Sequence, residues 1–137
     1  MGSTTTTAGS DTDRQAIRDV LARLYKAWEA NDAEAFVADY TDDAIVIQPG
    51  VYKKDREEIR TTMAAGFAGP LSGSRATDQP VSVRFLNDDT ALVVSEGGIL
   101  FPGQDSVASE RMVRASWVLV RRGGAWLITS YHNSPAS

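Results

Sequence analysis

Residues 110–135, ERMVRASWVLVRRGGAWLITSYHNSP, hold two runs rich in β-branched and aromatic side chains, Met112 to Val120 and Trp126 to Tyr131, separated by Arg121 to Ala125 with its Gly-Gly pair. This composition around a turn specifies a long β-hairpin. Side chains alternate faces along a strand, so the turn length decides which set looks inward. A three-residue turn with Gly124 left-handed puts Trp117, Leu119, Thr129, Tyr131 and Asn133 on one face and Ser116, Val118, Ile128, Ser130 and His132 on the other. A two-residue turn exchanges the two sets.

Upstream, Ile17, Val20, Leu21, Leu24, Tyr25 and Trp28 recur at helical spacing, which predicts a helix capped by Asp11 or Thr12 and running to about Ala30. Asn31-Asp32 ends it and starts a second helix over Ala33 to Tyr40, with Phe36, Val37 and Tyr40 inward. Ala44 to Gln48 reads as a brief strand stopped by Pro49-Gly50, and Asp55 to Phe67 as a third helix presenting Ile59, Met63 and Phe67. Strands then follow at Gln79 to Leu86 and Thr90 to Leu100, joined by the turn Asn87-Asp88-Asp89. Helices first and hairpin-linked strands later predict an α+β fold, with the helices packed on one mostly antiparallel sheet.

At 137 residues the chain fits one domain, expected over residues 12–135 behind a mobile low-complexity tail at 1–11. A net charge of −4 argues against nucleic acid as a partner. With no cysteine and one histidine, thiolate catalysis, sulfur-ligated metals and multi-histidine centres are excluded, so no metal or other cofactor is expected. The segment GSTTTTAGS lacks the character of a signal peptide and no apolar run reaches membrane-spanning length, so the expected location is cytoplasmic, with no membrane partner. Neither Gly97-Gly98 nor Gly123-Gly124 precedes a helix, so a phosphate-cradling loop is absent.

The order of elements, with ANDAEAFVADYTDDAIVI leading to QPG and the chain closing on WLITSYHNS, resembles the NTF2-like superfamily, which includes the SnoaL and ketosteroid isomerase-like proteins. More narrowly, YKAWEANDAEAFVADYTDDAIVIQPGVYKK, VSEGGIL and SWVLVRRGGAWLITSYHNSP resemble the SgcJ/EcaC-type branch associated with enediyne antibiotic biosynthesis. The resemblance implies a curved sheet wrapped by three helices into a cone with an internal pocket, a small hydrophobic or polyketide-like ligand, and a homodimer. It leaves open whether the protein is an isomerase, cyclase or dehydratase, or a non-catalytic carrier or assembly partner of biosynthetic enzymes.

Ketosteroid isomerase works in this cone with a carboxylate base and two oxyanion donors, a tyrosine and a protonated aspartate. Here the base position is Gln48, a neutral amide; the tyrosine position is matched by Leu24, with Tyr25 rotated by about 100° on the helix; and the aspartate position falls at Ser116 or Trp117. A different acid or base is therefore required. His132 is the natural first candidate for proton transfer, unless it packs at a sheet edge or dimer contact. Glu96, interrupting an apolar strand, pairs with Arg114 or lies in the cavity as a base beside His132. Trp28, Tyr52, Trp117 and Tyr131 are expected as pocket walls for a flat or conjugated ligand, with Gln48, Asn133 and Arg114 as polar contacts.

Overall fold

A computed structural model of the chain describes residues 10–136. Helix α1 (Asp11–Glu29) starts where the Ser10 side chain accepts the Asp13 N–H at 3.0 Å. Residue 11 therefore belongs to the first helical turn and not to the tail, whose remainder at residues 1–9 lies outside the described residues. Asp32 caps α2 (Ala33–Phe36) by accepting from Ala35 at 3.1 Å, and Asp55 caps α3 (Arg56–Phe67) by accepting from Glu58 at 2.8 Å. Helix α2 is shorter than its apolar spacing predicts. Tyr40 pairs with Ile128 and thereby opens strand β1 (Tyr40–Gln48), so a tertiary ladder overrides local helix propensity.

Strand β2 (Val51–Lys53), unforeseen in the sequence, folds back on β1 across Pro49-Gly50, with Gly50 left-handed at φ 74°. There follow β3 (Arg75–Asn87), β4 (Thr90–Leu100), a 3₁₀ turn at Ser109–Arg111, β5 (Val113–Arg122) and β6 (Ala125–Pro135). The six strands form one curved sheet in the order β2-β1-β6-β5-β4-β3, antiparallel throughout except where β1 and β6 run parallel. The helices cover its concave face. Ile17, Val20, Leu21 and Leu24 of α1 and Ile59, Met63 and Phe67 of α3 are buried in one cluster with Val93, Trp117, Leu119 and Ile128 of the sheet. Removing these side chains from water is the main force that closes the helices over the sheet.

The terminal hairpin turns on two residues, since Arg122 pairs with Ala125 and both Gly123 and Gly124 have positive φ, 59° and 81°. Taken alone, that turn would send Trp117 and Tyr131 to opposite faces. A β-bulge intervenes: Leu119 pairs with Ile128 but Val118 pairs with Ser130, leaving Thr129 as the extra residue. Trp126 and Ile128 face inward before the bulge, Tyr131 and Asn133 after it, and His132 is turned out. Ile128 is thus an inward residue, against the three-residue-turn expectation, while Trp117, Leu119, Tyr131 and Asn133 do share the inner face. Among the described residues no helix is long and apolar enough to cross a membrane.

Candidate active-site cavity

Between the helices and the concave face lies a cavity of about 510 Å³, a size suited to a small-molecule ligand. Leu24, Tyr25 and Trp28 reach it from α1, Phe36 from α2, Met63 from α3, and Trp117, Tyr131 and Asn133 from the terminal hairpin. A larger hollow of about 660 Å³ between α2, α3 and β1 is an open charged groove whose Arg56 and Arg60 are already paired with Asp42, Glu34 and Glu57. The chemistry therefore concentrates in the first.

Asp78 on β3 is the carboxylate of this cavity. Burial raises its pKa from the ordinary 3.8 to about 6, against the opposing effect of hydrogen bonds from Ser95 and Tyr25. The network behind it is ordered. Trp117 Nε1 donates to Ser95 Oγ at 2.9 Å, which leaves the Ser95 hydroxyl proton free for Asp78. Tyr25 packs edge-on against Trp117, with ring centroids 6.3 Å apart, and burial next to the Asp78 charge pushes its phenol well above the ordinary range. Trp117 in turn packs against Tyr131 with ring centroids 4.4 Å apart.

A second polar pair faces the same space. Asn133 Nδ2 donates to Tyr131 Oη at 2.8 Å, so the Tyr131 hydroxyl is free to donate to a ligand oxygen. Burial raises the Tyr131 phenol pKa, with the Asn133 hydrogen bond acting in the opposite direction. Trp28 is fixed by donation from Nε1 to Ser74 Oγ at 2.9 Å and by edge contacts with Phe36 and Phe67. Gln48 also lines the cavity.

Of the residues singled out in the sequence, Trp28, Gln48, Trp117, Tyr131 and Asn133 meet in this cavity, and four do not. Tyr52 is 64% exposed, because the β1–β2 register places Lys53 opposite inward-facing Val46 and so turns Tyr52 outward. Glu96 and Arg114 are cross-strand partners on the outer face, joined at 2.7 Å. His132 is exposed on the same outer face, across from Ser116 and Ile47. Neither His132 nor Glu96 can therefore act on a ligand held inside the cone.

Asp78 and Lys53 line the cavity without being singled out by the sequence pattern, and Tyr25, one residue beyond the position matched to the isomerase tyrosine, lines it together with Leu24. The signal for Asp78 was its partner strand. Asp78 pairs with Gly97, where an added Cβ would lie 1.9 Å from the Thr77 carbonyl oxygen, so β3 approaches β4 too closely there for any side chain. A glycine inside a strand often marks such an approach.

The sequence matches the SnoaL-like domain family over residues 17–137. The chain belongs to the SnoaL-like family. Its fold is that of the NTF2-like, cystatin-fold superfamily. A domain of unknown function with a cystatin-like fold from Nostoc punctiforme superposes with a TM-score of 0.85 at 26% identity, over 93% of this chain and 80% of that one. An NTF2-like protein with a cystatin-like fold from Novosphingobium aromaticivorans gives 0.77 at 22%, over 92% and 83%. A putative scytalone dehydratase from the same organism gives 0.75 at 14%, over 92% and 85%, a likeness of fold alone. Comparison with functionally curated proteins returned no match.

Proposed function

We propose that this SnoaL-like protein binds a small hydrophobic, polyketide-like molecule in its aromatic cavity and processes it by general acid–base chemistry, as an isomerase, cyclase or dehydratase. The observation that carries the reading is Asp78, a carboxyl group inside an otherwise largely apolar cavity with its pKa raised to about 6. Such a group is mostly carboxylate at pH 7, with roughly a tenth still protonated, and its pKa lies close enough to neutrality for it to accept a proton and return it. Asp78 would take a proton from carbon next to a carbonyl, or deliver one to a leaving hydroxyl. The Tyr131 hydroxyl, freed to donate by Asn133, would hold the oxygen on which charge develops. The fold likeness to a putative scytalone dehydratase is compatible with dehydration within this class. The enediyne setting is part of the same proposal and rests on the resemblance of the segments around residues 25–54, 94–100 and 116–135.

Native mass spectrometry of protein purified from its producing host would identify a retained ligand, and turnover of that ligand or its precursor would then be compared in wild type and Asp78→Asn. A rate loss of about 10²- to 10⁴-fold with binding retained is expected. Full activity in Asp78→Asn would overturn the assignment.

A carrier function is the second reading, favoured by Gln48, whose neutral amide lies in the cavity at the position matched to the isomerase base. Absence of turnover across bound ligands, with no pH-dependent limb, would select it. In either case the protein is proposed to pair through the outer face of the sheet, where Ile45, Ile47, Leu92, Val94 and Val118 lie beside His132 and the Glu96–Arg114 pair. A monomer by light scattering at micromolar concentration would refute this.

A further inference from the structure

The chain is acidic overall, yet the ionisable side chains other than tyrosine that line its cavity are one carboxylate, Asp78, and two cations, Lys53 and Arg111. Arg111 is exposed at the rim. Lys53 is only 7% exposed, and its placement follows from the β1–β2 register that turns Tyr52 out and Lys53 in. Among the described residues its ammonium closes no ion pair and donates no hydrogen bond. Glu58 attracts it through space, but the Glu58 carboxylate is exposed and accepts from the Lys54 backbone N–H at 2.8 Å. Burial lowers the Lys53 pKa accordingly. A lysine kept in an aromatic cavity with no protein partner is costly as packing and effective as a contact for a ligand.

Lys53 and Asp78 stand on the two edge strands, β2 and β3, at opposite ends of the sheet, and only its curl brings both to one cavity. That gives the cavity a cationic pole and a proton-transfer pole. We infer that the ligand is an acid, an aromatic or conjugated molecule whose carboxylate is held by Lys53 Nζ while its reacting end lies toward Asp78 and Tyr25. The inference rests on the reading of this cavity as the ligand site and adds to it the ligand's charge and direction. In a site shielded from water, an ammonium–carboxylate contact is stronger than at the surface, and the compact lysine head suits a single oxygen.

Isothermal titration calorimetry at pH 7 with 2-naphthoate and with 2-naphthamide, equal in size and different in charge, tests the point. Wild type is expected to bind the acid roughly 10- to 100-fold more tightly than the amide. Lys53→Met should reduce the acid to the level of the amide without weakening the amide, and Lys53→Arg should keep the preference. Lys53→Met removes a buried unpaired charge and keeps the length of the side chain, so its melting temperature should equal or exceed that of wild type, which separates lost recognition from lost fold. Equal affinities in wild type, or an intact preference in Lys53→Met, would overturn the inference while amide binding left the ligand cavity standing. Failure of both probes to bind wild type at millimolar concentration would count against the cavity reading itself.

Discussion

If Asp78 is the buried carboxyl the geometry describes, its ionisation works against folding, and removing it should change how stability depends on pH. The folded state holds the proton to about pH 6, whereas an unfolded aspartate releases it near 3.8. Between those values the folded protein binds more protons than the unfolded one, so stability falls as pH rises through the interval and the loss is complete somewhat above pH 6. The full difference between 3.8 and about 6 corresponds to about 3 kcal/mol. Solvent entering the cavity reduces this to roughly 2 kcal/mol. In Asp78→Asn the remaining carbonyl can still accept from Ser95, and no charge has to be buried. The variant should therefore match wild type near pH 4 and exceed it by about 1–2 kcal/mol at pH 7.5, which is roughly 3–8 °C in melting temperature for a domain of this size. Urea unfolding of both proteins at pH 4, 5.5 and 7.5 measures the difference directly. Parallel stability curves, or a variant weaker than wild type at pH 7.5, would show that Asp78 is solvated and would remove the basis for giving it a proton-transfer role.

Gly97→Ala should cost at least about 3 kcal/mol or force β3 away from β4, because the new Cβ meets backbone at Thr77 and Asp78 and not a flexible side chain. Urea unfolding gives the cost, and displacement of Asp78 would also lower turnover. Glu96→Ala should lower stability by less than about 1 kcal/mol, since its ion pair with Arg114 is exposed. Glu96→Ala and His132→Ala should both leave ligand affinity unchanged in calorimetry, and loss of affinity in either would return the outer-face residues to the site.

What could be read from the sequence is what local pattern encodes. The stripe from Ile17 to Trp28, the Asn31-Asp32 break and the spacing of Ile59, Met63 and Phe67 placed the three helices, because periodicity and capping are properties of neighbouring residues, although Ser10 caps the first helix in place of the expected Asp11 or Thr12. Strand β4 was found at its full extent, Thr90–Leu100, for the same reason. The aromatic side of the site, Trp28, Trp117 and Tyr131, was visible as residue types in the right elements. On the polar side Gln48 and Asn133 were visible too, but the ionisable Asp78 and Lys53 were not. Whether a strand residue enters the cone depends on parity, and parity here is set by features that leave weak local traces. The two-residue turn at Gly123-Gly124 alone would have put His132 inside and Tyr131 outside. The single extra residue, Thr129, reverses that assignment for everything after it, and its hydroxyl is held by Thr41 at 3.1 Å, a contact 88 residues away in sequence. The short β1–β2 hairpin does the same on the far edge, exchanging the expected Tyr52 for Lys53. One inserted backbone unit thus brings Tyr131 and Asn133 into the cavity, and one tight turn brings in Lys53. The only histidine of the chain, which its ordinary pKa made the obvious acid–base candidate, is left on the opposite surface.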